Sequence, residues 1–193
     1  MAPLAAGDRS LGRGARARIL EAARTLFARQ GINATSINEL RAEARVSKRT
    51  LYQQFLSKDE LILAYLDESE RISPAGALLA REDLVPRARL LELFTTLAGA
   101  PAPIAPEPFV AAAVEFPDPT HPVHRAAVEH ARAFVARLAD LARAAGARDP
   151  DQVGRRLALL YNGAAGRVML DDAAGVVSDA YAVAAAILRD AID

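Results

Sequence analysis

The sequence predicts an all-α protein: an N-terminal three-helix unit built around a helix-turn-helix, followed by a larger helical C-terminal domain. Three observations predict it. Apolar residues recur at helical spacing through most of the 193 residues, with no sustained strand-like alternation and no internal repeat. Capping boxes and proline or glycine punctuation cut that pattern into discrete segments. Charge is also divided: residues 1–58 carry a net +7 and residues 59–193 a net −7, within a formal net charge of zero. A basic head on an acidic body is the distribution of a chain that meets nucleic acid with one end.

Each element has its own reason. Residues 13–30 place Ile19, Leu20, Ala23, Leu26 and Phe27 on one helical face, and Gly31 follows as a C-terminal cap. Ser36-Ile37-Asn38-Glu39 is a capping box that opens a short helix to about residue 44, burying Ile37 and Leu40. Arg45-Val46 makes a tight turn. Ser47 caps a third helix over residues 48–54, with Leu51 and Phe55 inward. Ser57-Lys58-Asp59-Glu60 is a second capping box, opening a fourth helix to about residue 72. Beyond Pro74 the pattern loosens. Leu90, Leu91, Phe94 and Leu97 form a stripe ending at Gly99, and four prolines make residues 100–108 irregular. A short apolar helix covers residues 109–116. After Pro117, Pro119 and Pro122, a long amphipathic helix carries Val128, Ala131, Phe134, Val135, Leu138 and Leu141 to Gly146. Asp149-Pro150-Asp151-Gln152 restarts the chain as a helix, and the last two helices cover about 150–170 and 178–190.

Composition excludes several functions. There is no cysteine, hence no disulfide framework, thiol nucleophile or cysteine-ligated metal. Residues 1–14 hold no secretory-type apolar stretch, and no run approaches a membrane span, so a cytoplasmic protein without membrane contact is expected. No Ser/His/Asp arrangement, P-loop or GxGxxG is present. His121, His124, His130 and Glu115 lie near one another in sequence without HExxH-type spacing, so neither metal nor cofactor is expected.

Helix, capped short helix, three-to-four residue turn and second capped short helix form the helix-turn-helix layout. Its second short helix would enter the major groove N-terminus first, bringing Ser47, Lys48, Arg49 and Thr50. Lysine and arginine pair with guanine O6 and N7, and threonine meets the thymine methyl. Tyr52, Gln54 and Lys58 would flank it, placed for phosphates. Thr35 and Ser36 would offer amides and hydroxyls to the DNA backbone.

These residues, in register, resemble one family. Ile19-Leu20-Glu21-Ala22-Ala23-Arg24-Thr25-Leu26-Phe27, Gly31, Thr35-Ser36-Ile37, Val46 through Phe55, and Ser57-Lys58-Asp59-Glu60-Leu61 are similar to the TetR family of bacterial transcriptional regulators, over about residues 13–66. The stretch Glu115 through Val123, with Gly146, Asp149 and Gly163, resembles one subgroup less specifically. The resemblance implies an all-helical homodimer and no enzyme. An N-terminal domain (residues 1–57, with 1–12 as a flexible arm) would bind DNA. Residues 58–193 would bind a small effector and dimerise through the last two helices. By position, Asn38, Lys48, Arg49 and Thr50 resemble base-contacting residues, and Ser36, Tyr52, Gln54 and Lys58 phosphate-contacting ones. The family usually has glycine where this chain has Arg45. There arginine bears a left-handed conformation at a cost of roughly 1 kcal/mol, unless the turn differs or Arg45 gains a phosphate contact. Leu40-Arg41 replaces a more usual Ile-Ala pair.

The expected function is thus a repressor that binds a palindromic operator and is released by an effector, with a ligand-independent or activating regulator of the same fold as alternative. Enzymatic and architectural DNA-binding roles are rivals; the second predicts equal affinity for any DNA. Phe94, Phe109, Phe116, Phe134 and Tyr161 are candidates to line the effector pocket, with Glu115, His124 and Asn162 as polar anchors and Tyr65 on the fourth helix. Ordinary core packing explains each of them equally well. No arginine cluster accompanies these aromatics, so an apolar or aromatic effector is expected. Ala158, Gly163, Ala165 and Gly166, with Tyr181, Ala185 and Leu188, would form the dimer seam. Arg9, Arg13, Arg16 and Arg18 belong either to a solvated tail or to an arm on the DNA.

Overall fold

In the computed structural model, which describes residues 7–99, 107–170 and 172–192, ten α-helices and one 3-10 helix follow one another, and no strand occurs among the described residues. They are α1 (Gly7–Gln30), α2 (Ile37–Glu43), α3 (Lys48–Gln54), α4 (Lys58–Arg71), α5 (Pro74–Leu79) and α6 (Pro86–Glu92). The 3-10 helix (Leu93–Gly99) comes next, then α7 (Pro108–Glu115), α8 (Pro122–Ala144), α9 (Pro150–Val168) and α10 (Ala173–Ile192). Helix α1 begins six residues before the expected start, so only residues 1–6 of the expected arm lie outside the described residues. Helix α5 was not legible as a periodic stripe because it is six residues long; Ser73 caps it and Pro74 takes its first turn. Helix α10 starts five residues before the position expected from its apolar stripe.

Two compact units emerge. The first comprises Met1–Ser69 together with Val110–Ala126, and the second Glu70–Phe109 with Ala127–Asp193. The first unit therefore runs past the boundary expected after residue 57, and it takes in a segment from the second half of the chain.

In the first unit, α1 packs on α2 and α3. Ile19, Ala23, Leu26 and Phe27 of α1, Leu40 of α2, Leu51 of α3 and Leu61, Ile62 and Leu66 of α4 are all buried, as is Phe55 just after α3. Burying each large side chain contributes about 1.5–3 kcal/mol, which holds helices too short to be stable alone. Ile37, expected inward, is only half-buried.

In the second unit, α9 and α10 pack on each other and on the 3-10 helix. Their core includes Leu90, Leu93, Phe94, Leu138, Val153, Leu157, Ala184 and Leu188. Gly154 lets α9 approach α8 closely. A Cβ there would sit 2.8 Å from both the Val135 carbonyl oxygen and the Ala139 amide nitrogen, two backbone atoms with little room to yield.

Candidate nucleic-acid interface

The turn between α2 and α3 is a Schellman closure. The Val46 amide donates to the Arg41 carbonyl at 3.0 Å and the Arg45 amide to the Ala42 carbonyl at 3.1 Å. This motif needs a left-handed residue after the cap, and Arg45 occupies it at φ 52°. The usual turn geometry is thus retained with a non-glycine residue, and the Arg45 side chain is exposed.

Both short helices are held at both ends. At the start of α2 the Ser36 Oγ accepts from the Glu39 amide at 3.2 Å, and the Ser36 amide donates to the Glu39 carboxylate at 2.8 Å. These bonds, led by the backbone one, lower the Glu39 pKa from 4.5 to about 2. At the start of α3 the Ser47 Oγ accepts from the Thr50 amide at 3.0 Å and lies 2.8 Å from the Thr50 hydroxyl. Two arginines of α1 hold the C-terminal ends. Arg18 donates to the Ala44 carbonyl at 3.2 Å. Arg16 donates to the Gln54 carbonyl at 3.2 Å while its guanidinium lies 4.4 Å from the Phe55 ring centre. Arg16 and Arg18 therefore brace the helix-turn-helix and belong to no tail or arm; the Arg9 and Arg13 side chains lie outside the described residues.

What α3 leaves outward is chemical. Lys48, Arg49, Tyr52 and Gln53 are exposed, and Arg49 makes no ion pair among the described residues. The Lys48 ammonium lies 6.0 Å from the Tyr52 ring centre. Asn38 is exposed on α2, its side chain accepting from Arg41 at 3.2 Å. Ser36 and Ser47 are exposed as caps, whereas Thr50 and Gln54 are half-buried.

Two expected phosphate contacts are corrected. Thr35 is fully buried, and its hydroxyl donates to the Gly31 carbonyl at 2.7 Å, so it offers DNA nothing. Lys58 turns inward: its Nζ donates to the Ile32 carbonyl at 2.7 Å, and burial lowers its pKa. Sequence reasoning placed Lys58 by its charge; the carbonyls that capture it come from a turn 26 residues earlier.

The expected effector residues do not gather in one place. Four belong to the first unit. Tyr65 is buried with its ring edge-on to Phe27, centres 5.1 Å apart. The Glu115 carboxylate accepts from the Ile32 amide at 2.8 Å and the Asn33 amide at 2.6 Å. Phe116 stacks on His121 at 4.7 Å, and the His124 Nδ1 lies 2.7 Å from the Phe116 carbonyl oxygen. Each has a structural partner, so Glu115 and His124 as free polar anchors are corrected, while Tyr65 packs in the core of the first unit. The second unit does bring three together. Phe94 and Phe134 lie 6.0 and 5.5 Å from the Tyr161 ring. The Tyr161 hydroxyl is 3.4 Å from that of Thr96, and burial raises its pKa. Phe109 instead stacks flat on His130 at 3.5 Å, and Asn162 is exposed. Among the described residues no three His, Asp or Glu side chains converge as a metal site, and no helix is long and apolar enough to cross a membrane.

Of the expected seam, Ala158 and Leu188 are buried in the core of the second unit and are unavailable to a partner. Gly163, Gly166 and Tyr181 are exposed, while Ala165 and Ala185 are half-buried. A Cβ added at Gly163 or Gly166 would meet nothing within 4 Å among the described residues. Gly163 lines an open groove of about 630 Å³ between α9 and α10, with Leu159, Val176 and Val183 among its walls.

Comparison with known proteins agrees with this geometry. Residues 19–65, from α1 into α4, match the family model of the bacterial regulatory proteins, tetR family. Over 49 residues the chain is 43% identical to the HTH-type transcriptional regulator YuxN of Bacillus subtilis; that match spans 17% of YuxN. The crystal structure of SCO4454, a TetR-family transcriptional regulator from Streptomyces coelicolor, is 32% identical, with 94% of this chain and 97% of that one covered at TM-score 0.85. A TetR-type transcriptional regulator from Streptomyces avermitilis is 33% identical, covering 92% and 97%, at TM-score 0.77. A motif match confined to the head, joined to relatives of this identity along nearly the whole chain, makes the protein a member of the TetR family of transcriptional regulators, a DNA-binding family and not an enzymatic one.

Proposed function

We propose that the chain acts in the cytoplasm as a homodimeric repressor, reading a palindromic operator with α3 and leaving it when a small apolar or aromatic effector binds the second unit. One observation carries the reading: α3 is fixed at both ends by Ser47 and Arg16, yet presents the exposed Arg49 beside Lys48 and Tyr52. Rigid support with outward donors suits base readout, because little backbone freedom is then lost on binding. Asn38, Ser36, Ser47, Thr50, Gln54 and Arg45 fill the edges of that surface. The Phe94, Phe134 and Tyr161 cluster, with the Thr96 hydroxyl beside it, supports an aromatic effector. The exposed residues of α9 and α10, including Leu159, Gly163, Gly166, Tyr181 and Val183, support the dimer seam.

Selection from a random duplex pool tests the reading. The expected product is an inverted repeat whose half-sites lie about 34–36 Å apart along one DNA face. Affinity for it should exceed that for the unselected pool by about 10³ or more. Equal affinity for both would overturn the reading.

A further inference from the structure

The turn between α1 and α2 is held by two charged side chains that no DNA contact requires. Glu115 accepts from the amides of Ile32 at 2.8 Å and Asn33 at 2.6 Å. Lys58 donates to the carbonyls of the same two residues, at 2.7 and 3.4 Å. All four backbone polar groups of Ile32 and Asn33 thus have a charged partner. The Asn33 side-chain amide closes the arrangement by donating to the Glu115 carbonyl at 2.8 Å. Gly31 leaves the needed space: it takes φ 86°, and a Cβ there would lie 3.1 Å from a Glu115 carboxylate oxygen.

Glu115 is a poor choice for its own helix. It is the last residue of α7, where the helix dipole disfavours an anion and exposed carbonyls call for donors. What it gains is outside α7: two amides 82 and 83 residues away, near the Lys58 ammonium. Asn33 in turn supplies a donor to the end of α7. The turn so fixed sets the path from α1 into α2, and α3 follows α2 through the Arg45 closure.

We infer that Glu115 is a positioning residue for DNA recognition: by pinning Ile32 and Asn33 it holds the α2–α3 pair in register on α1, although it lies far from the helix-turn-helix in sequence and makes no DNA contact. The DNA-reading unit is then completed by residues 110–126, consistent with their place in the first compact unit. This rests on the reading of α3 as the recognition helix.

The test uses the full chain, the duplex it enriches from a random pool and the unselected pool as competitor. Glu115→Gln should lower the ratio of selected to random affinity about tenfold, while the slope of affinity against salt stays unchanged because no phosphate contact is removed. Amide exchange at Ile32 and Asn33 should accelerate, with Leu40 and Leu51 unaffected. Val153→Ala, a buried change in the second unit, controls for lost stability and should keep the ratio. Asn33→Ala, which removes one of the three hydrogen bonds between Glu115 and the turn, should shift the ratio in the same direction and serves if Glu115→Gln does not fold. An unchanged ratio in the folded Glu115→Gln or Asn33→Ala chain, an equal drop in Val153→Ala, or unaltered exchange at Ile32 would overturn the positioning role. A wild-type chain that enriches no sequence would instead overturn the recognition reading, and this inference with it.

Discussion

Arg45 holds a conformation that glycine takes freely, at φ 52° in a Schellman closure. A left-handed non-glycine residue costs about 1–2 kcal/mol, while glycine gives back about 0.5–1 kcal/mol in unfolded-chain entropy. Arg45→Gly should therefore raise stability modestly, read as a small upward shift in thermal midpoint with helicity unchanged. Glu39 gives a pH signature. Its folded pKa of about 2 lies below the ordinary 4.5, so its stabilising effect is complete above about 4.5 and is lost as pH falls through about 2. Glu39→Gln should be less stable than wild type at neutral pH, and denaturant melts should show the difference closing between pH 4.5 and 2. The left-handed conformation at Arg45 was implied by the family resemblance, which has glycine at that place, and the turn keeps that geometry at φ 52°. Lys58, Thr35 and Glu115 were not, because their partners are backbone groups of one turn, and backbone groups leave no trace in residue type.

At the scale of elements, caps were the most readable features: the box at Ser36 and the cap at Ser47 place α2 and α3 where the residues imply. Small residues were read less well. Gly163 and Gly166 attract attention as a pair, yet the glycine that a neighbouring helix presses against is Gly154. Composition alone does not separate a glycine facing solvent from one facing a backbone. Gly154→Ala should destabilise the chain by about 1–3 kcal/mol through overpacking, measured by urea unfolding. A Cβ at Gly163 or Gly166 meets nothing within 4 Å among the described residues, so the fold should persist with leucine at both. With the proposed seam, sedimentation should then show a weakened dimer; an intact dimer would remove these glycines from it. The aromatic candidates divided because aromatic side chains at helical spacing serve cores and pockets alike. Tyr65 went to Phe27 in one unit and Phe94 to Tyr161 in the other.

Across the molecule, the charge division remains meaningful after its details change. Of the eleven basic residues among 1–58, Arg16, Arg18 and Lys58 are spent on carbonyls of the head itself. Lys48 and Arg49 stay outward on α3, so the base readout proposed here draws on fewer groups than the net charge suggests. The most direct measurement compares wild type with Arg49→Ala on the selected duplex and on the unselected pool. The account predicts that Arg49→Ala loses about 1–3 kcal/mol on the selected duplex, changes little on the pool, and relaxes preference at one or two base pairs per half-site. An unchanged sequence preference in Arg49→Ala, or an equal loss on both DNAs, would contradict it.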